Sequence, residues 1–280
     1  MKYTNATSFK AKIRNIAKKK RIPAQQVQQN YLIEQVLRLI VKSEYKKSFV
    51  VKGGYLISNI IGIDKRTTMD LDVMLKGAEL SKENLLSIFN NIFRQECDEG
   101  FTFMVDSLAP IRSDDEYGGF VIKINASFDT LREVVFIDVT TGDKITPYEI
   151  QYAVQSIFLE DEIEILSYNL ETVLAEKLEC VLSRGEGSTR PRDRYDLFTV
   201  WKMYGNDVSI AILREALKNT ATKRESLQEL NGWSNQVSLI RQSDYQKQMW
   251  MKYQRTFKYA NEISFEESVE IVQTIMSEIE

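Results

Sequence analysis

The sequence predicts an α/β protein of the α+β kind, in which a mixed sheet with flanking helices is followed by a C-terminal helical bundle. Three observations carry that prediction. Short β-branched and aromatic runs recur between residues 48 and 166. A strand, a Gly53-Gly54 turn and an apolar helix open that region, and after Ser167 the apolar residues recur only at helical spacing. We therefore expect two domains, 1–167 with N-terminal helices and 168–280, packed closely around a cleft. A length of 280 residues with 43% apolar content suits two domains of about 100 to 200 residues each.

The first helix is expected over Phe9–Lys20, with an Ile13 and Ile16 seam, and a second from Pro23 to about Ser43, since proline is tolerated in a helix's first turn. Lys18, Lys19, Lys20 and Arg21 close the first helix. They read either as contacts to RNA phosphates or as a solvated helix end with favourable positive charge.

Ser48-Phe49-Val50-Val51 reads as a buried strand and Tyr55–Ile61 as a helix, joined by Lys52, Gly53 and Gly54. Such a turn suits phosphate: without Cβ atoms the backbone N–H groups can approach an anion, and the helix N-terminus adds its positive end. Asp70 and Asp72 then open the apolar run Val73-Met74-Leu75. On a strand, residues i and i+2 share a face with Cα atoms roughly 6 to 7 Å apart, so two carboxylates can converge on one Mg²⁺ or Mn²⁺ ion. The other reading of Asp-x-Asp is a solvated turn.

Ser81 is the expected N-cap of a helix running to about Asp98. Strands follow over 101–111, 120–128 and 134–140, separated by the polar segment 113–119 and by Asp129-Thr130. Asp138 stands inside the last run, where an ionised carboxylate is costly unless paired or metal-bound. It is either a third ligand beside Asp70 and Asp72 or the cap of the loop at 140–143. A further strand is expected over 156–166, and Asn169 as N-cap of the next helix.

The helix Leu170–Arg184 carries Lys177 and Arg184 within its apolar stripe, and the following helix carries Asp193 and Asp196 in line with Leu197, Val200 and Trp201. Cations and anions on inward faces suggest either a binding site or interhelical ion pairs. The loop 183–190 between them is polar and contains two glycines, so it could admit a nucleotide. Later helices are expected over 208–218, around 244–259 and after Ser264, whose partner Glu267 completes a capping box. Trp201, Trp233, Trp250 and Tyr253 are read as packing residues.

Composition narrows the chemistry. No histidine is present, which excludes histidine acid/base catalysis and histidine-ligated zinc. Carboxylates, lysine and metal must carry any reaction. Cys97 and Cys180 form no disulfide framework or Cys-x-x-Cys site. A net charge of −3 conceals an asymmetry, for residues 1–21 hold eight bases and no acid, and residues 262–280 hold glutamates and no base. No signal core or spanning run is visible, so a cytoplasmic protein without a membrane partner is expected.

Gly53-Gly54, Gly62, Arg66-Thr67-Thr68 and Asp70-Leu71-Asp72 resemble the first motif of the AbiEii/AbiGii toxin family. Glu171–Glu179 and Arg192-Asp193-Arg194-Tyr195-Asp196-Leu197 are similar to its two later motifs. The resemblance covers about residues 48–204. It implies a nucleotidyltransferase with a polymerase β-like core, in which Asp70, Asp72 and Asp138 hold the metal. Lys52, Gly53, Gly54, Arg66, Thr68, Lys177 and Arg184 would bind the NTP, and Lys177, Asp193 and Asp196 would join the catalytic set. Where many members have Gly-Ser, this chain has Gly53-Gly54, leaving backbone donors. The resemblance further implies a toxin of a toxin-antitoxin or abortive-infection system, opposed by a separately encoded antitoxin and acting on RNA, in some relatives at the tRNA 3′ end. A non-catalytic nucleotide-binding toxin and a small-molecule nucleotidyltransferase are the alternative readings.

Overall fold

The computed structural model describes residues 4–111, 118–158 and 160–280. The polar segment expected between two strands lies for the most part, at 113–117, outside the described residues. By compactness the chain forms two units, one of residues 1–142 and 150–167, the other of residues 143–149 and 168–280.

In the first unit, α1 (Ala6–Lys20) and α2 (Ala24–Lys42) precede β1 (Phe49–Lys52), α3 (Gly53–Ile61), β2 (Asp70–Leu75) and α4 (Lys82–Phe93). Then come β3 (Thr102–Pro110), β4 (Phe120–Phe128), β5 (Leu131–Thr141), β6 (Ile150–Gln155) and β7 (Glu162–Ser167). Among the described residues these seven strands form one mixed sheet, ordered β3-β4-β5-β2-β1-β7-β6. β2 is antiparallel to β1 and parallel to β5, so the strands holding the motif acids are neighbours at its centre.

Alternation places Leu71, Val73, Ile137 and Val139 on the buried face and leaves Asp70, Asp72 and Asp138 half-buried on the other. α2 packs against β2, β5 and β7 and buries Val27, Tyr31, Leu32, Val36 and Leu37. Each such side chain contributes roughly 1.5 to 3 kcal/mol. Its Gln29 side chain donates to Met69 O at 2.9 Å and Val134 O at 3.2 Å, tying together the strand ends that carry Asp70 and Asp138.

Three expectations need correction. Of the strand expected over 156–166 only the part from residue 162 is strand, in β7, which pairs antiparallel with β6 just before the expected range. Just after β6, buried Glu34 accepts from Ser156 Oγ (2.7 Å) and from the Ile157 N–H (2.9 Å), so Ile157 turns toward α2 instead of continuing a strand. α4 ends at Phe93 rather than near Asp98. Gln95 there donates to Ile92 O and Leu39 O, Lys42 pairs with Asp98, and Gly100 has φ 81°. Finally, Gly53 and Gly54 form the first turn of α3 itself rather than a separate loop.

The second unit contains α5 (Leu170–Arg184), α6 (Pro191–Tyr204), α7 (Ile210–Lys223), α8 (Leu227–Asn231), α9 (Trp233–Gln242), α10 (Asp244–Thr256) and α11 (Phe265–Ile279). Asn169 caps α5 by accepting from Thr172 N at 2.8 Å, and Ser264 and Glu267 form the expected capping box. The short α8 and α9 were not anticipated. α6 packs between α5 and α11, and Trp250 and Tyr253 are buried in its company.

Candidate active site

Asp72 lies at the centre of the first unit's polar face. It is in register with Lys52 on β1 and with Asp138 on β5, and Asp70 stands two residues away on the same face. The local fold depends on this acid: Asp72 Oδ2 accepts the Gly54 N–H at 3.0 Å at the start of α3. Gly53 has φ 61°, and a Cβ there would lie 2.0 Å from that same oxygen. Only glycine admits both the left-handed backbone and the carboxylate. A Cβ on Gly54 would come within 2.8 Å of Thr68 Oγ1 and 3.1 Å of Arg66 Nη2. Thr68 in turn donates to Asp70 Oδ1 at 2.5 Å, and Arg66 is only 1% exposed and donates to Thr67 O.

The electrostatics show the strain of three acids on one face. Burial, then the charges of Asp72 and Asp70, push Asp138 up to about 6, against the opposing pull of Lys52. Among the described residues no three acids or cysteines stand close enough together to hold a metal ion as they are placed. Asp70, Asp72 and Asp138 are three carboxylates on the adjacent strands β2 and β5 beside the N-terminus of α3, and carboxylate oxygen is the donor type that a hard divalent cation takes.

The remaining expected site residues are in the second unit. Lys177 Nζ lies 2.6 Å from Asp193 Oδ1 and 3.0 Å from Asp196 Oδ2, and both acids are 1% exposed. Arg190 Nε takes the other oxygen of Asp193 at 3.0 Å, and the Cys180 thiol donates to it at 3.2 Å. Burial alone would raise the Asp193 pKa, but Lys177 and Arg190 outweigh it and hold the carboxyl well below its usual range. The cation added by the structure is thus Arg190, which sequence reasoning missed although Arg190 stands i,i+3 to Asp193 at a helix start. The first-turn acid Glu171 accepts Ser209 N at 3.0 Å, and Glu179 pairs with Arg224 and accepts from Ser226 Oγ, so these motif acids brace neighbouring helices.

Residues 183 and 184 of the expected loop belong to α5, and the remaining connection 185–190 is gripped from within. Gln246 Nε2 donates to Glu186 O (2.8 Å) and Ser188 O (2.7 Å), while its Oε1 accepts from Arg194 Nη1 at 2.7 Å. Arg194 is buried against Trp250 and Phe265, and burial lowers its pKa to about 10.

The model of the family described as nucleotidyl transferase AbiEii toxin, Type IV TA system, matches residues 35–271. The chain belongs to this family. It is accordingly a nucleotidyltransferase of a toxin class, which implies a nucleoside triphosphate as substrate and an antitoxin as counterpart. The fold is similar to that of MenT4, a nucleotidyltransferase toxin from Mycobacterium tuberculosis, at 14% identity and a TM-score of 0.53, covering 95% of this chain and 98% of that one. JHP933 from Helicobacter pylori is similar over 91% of this chain and 93% of its own, at 14% identity and a TM-score of 0.48. No curated protein matches the sequence. Among the described residues no helix is long and apolar enough to cross a membrane.

Proposed function

We propose that the chain transfers a nucleoside monophosphate from an NTP to a hydroxyl of an RNA acceptor, the 3′ end of tRNA, and so blocks growth or phage propagation until a separately encoded antitoxin intervenes. The observation that carries the chemistry is the face on which Asp70, Asp72 and Asp138 meet beside Gly53 and Gly54. RNA, tRNA and the phage role are supported by the family resemblance, and a cytoplasmic setting by the two separate free cysteines.

Asp70, Asp72 and Asp138 would hold Mg²⁺ or Mn²⁺, which when bound supplies charge neutralisation for the attacking and leaving oxygens. The N-terminus of α3 and Lys52 favour the triphosphate through dipole and charge. Arg66 and Thr68 form the wall beneath Gly54, and Thr68 holds Asp70 in place. The acceptor hydroxyl forms a bond to the α-phosphorus, and the bond from that phosphorus to the pyrophosphate oxygen breaks. The hydroxyl proton can pass to a carboxylate oxygen on this face, with Asp138 the acceptor proposed. Lys177, Asp193 and Asp196 are assigned to the reaction by their motifs, and Arg184 to nucleotide binding.

Incubating the protein with total RNA, Mg²⁺ and each α-labelled NTP in turn tests this reading. Label on a discrete RNA species supports it. Bound but untransferred label would favour a nucleotide-binding toxin without turnover, and label on a small molecule would favour the other alternative.

A further inference from the structure

A cavity of about 430 Å³ opens in the second unit between the start of α6 and the end of α10, and adjoins the ion cluster through Arg190, which pairs with Asp193. Its size lies within the ~300 to 1,000 Å³ of small-ligand sites. Arg190, Arg192 and Lys252 contribute cationic walls, Phe257 and Tyr253 an aromatic one, and no carboxylate lines it. Phe257 is half-buried, with Tyr259 stacked on it at 5.4 Å and Tyr253 tilted against it at 4.9 Å. The Arg192 guanidinium stands 5.9 Å from the Phe257 ring centre. The N-terminus of α6 opens at the same place with proline at its first position and no capping side chain.

We infer that this pocket takes one nucleotide of the single-stranded end of the RNA acceptor, with the base against Phe257 and the adjoining phosphates on Arg192 and Lys252. Planar aromatic surface joined to cations is the pairing that single strands require, since each base offers a π-face and each linkage one negative charge. A triphosphate travels with a divalent cation, which takes carboxylate oxygens; none lines the cavity, and Asp193 beside Arg190 is already engaged by Lys177. The inference rests on the proposed RNA acceptor and gives the second unit a substrate-holding task.

The test separates the two. Binding of a fluorescein-labelled single-stranded RNA to the full chain is measured by anisotropy without NTP or divalent metal, beside transfer by the unmodified protein. Phe257→Leu is expected to weaken RNA binding about 5- to 100-fold, whereas Phe257→Tyr, which keeps the ring, retains it. Arg192→Gln and Lys252→Gln are each expected to lower the log-log salt slope by about 0.7. Melting temperatures confirm that each variant is folded. Wild-type affinity in all three charge and ring-removal variants, while the unmodified protein labels RNA, overturns the pocket and leaves the proposed function standing. Absence of RNA binding and labelling by the unmodified protein overturns both. A loss confined to fluorescent NTP would make this an NTP site and also overturn the inference.

Discussion

Replacing Lys177 with methionine keeps most of the apolar stem and removes the charge shared by Asp193 and Asp196. Both carboxylates are 1% exposed and the lysine side chain 13%, with contacts of 2.6 and 3.0 Å. Removing one partner of a buried pair costs about 3 to 5 kcal/mol. The lower end applies here, because Arg190 remains 3.0 Å from Asp193. A loss of roughly 3 kcal/mol in a unit of this size lowers the melting temperature by roughly 10 °C. Scanning calorimetry on Lys177→Met, Asp193→Asn and the double variant measures it, and the double variant is expected to regain part of the loss. The depressed pKa of Asp193 fixes the sign with pH. Its contribution is present above the unfolded value of about 3.9 and fades as pH falls toward the folded value. Transfer assayed well below the variant's transition reads the lysine's chemical role separately, with an expected fall of about 10²-fold or more. An unchanged melting temperature would refute the structural weight of the cluster, and wild-type transfer its catalytic assignment.

Asp70→Asn and Asp72→Asn are each expected to reduce transfer by about 10³-fold with melting temperature nearly unchanged, since asparagine keeps an acceptor for Thr68 or Gly54 but loses the anionic charge. Gly53→Ala forces a Cβ against Asp72 and a left-handed backbone, so it should destabilise by about 2 to 4 kcal/mol, read by urea unfolding. For Asp138, a folded pKa raised to about 6 means that stability is full below the unfolded value near 3.9 and is lost as pH rises through 6. Without divalent metal, Asp138→Asn should therefore stabilise the protein at pH 8 and not at pH 3.5. The rise is worth roughly 3 kcal/mol at full burial, cut to about 1 kcal/mol by the group's half-exposure. Neutralising Lys18, Lys19, Lys20 and Arg21, all exposed, should lower the salt slope of RNA binding by about 0.7 to 0.9 per lost contact if they touch phosphate. An unchanged slope would identify a solvated helix end.

Periodicity made the central strands and the two motif helices legible, because apolar alternation in β2 and β5 and helical stripes in α5 and α6 are local properties of the chain. The proximity of Asp138 to Asp72 followed only in outline, since strand order is a tertiary matter, and the β2–β5 pairing supplies it. The 156–166 segment misled because Ser156 and Ile157 bond to Glu34, more than a hundred residues earlier, and no local pattern reports such a partner. Arg184 seemed the second cation of the cluster because it shares the stripe with Lys177. The turn at 185–187, gripped by Gln246, instead brings Arg190 to Asp193. Gln29 and Gln246, which secure strand ends and loop through backbone carbonyls, carry no charge or motif that could single them out.

The most direct measurement compares α-labelled with γ-labelled NTP in Mg²⁺ and RNA, using the unmodified protein and Asp72→Asn. The account predicts that only α-label joins RNA, that γ-label leaves as pyrophosphate, and that Asp72→Asn does neither. Incorporation of γ-label, or equal α-label transfer by Asp72→Asn, would contradict nucleotidyl transfer at the Asp70, Asp72 and Asp138 face.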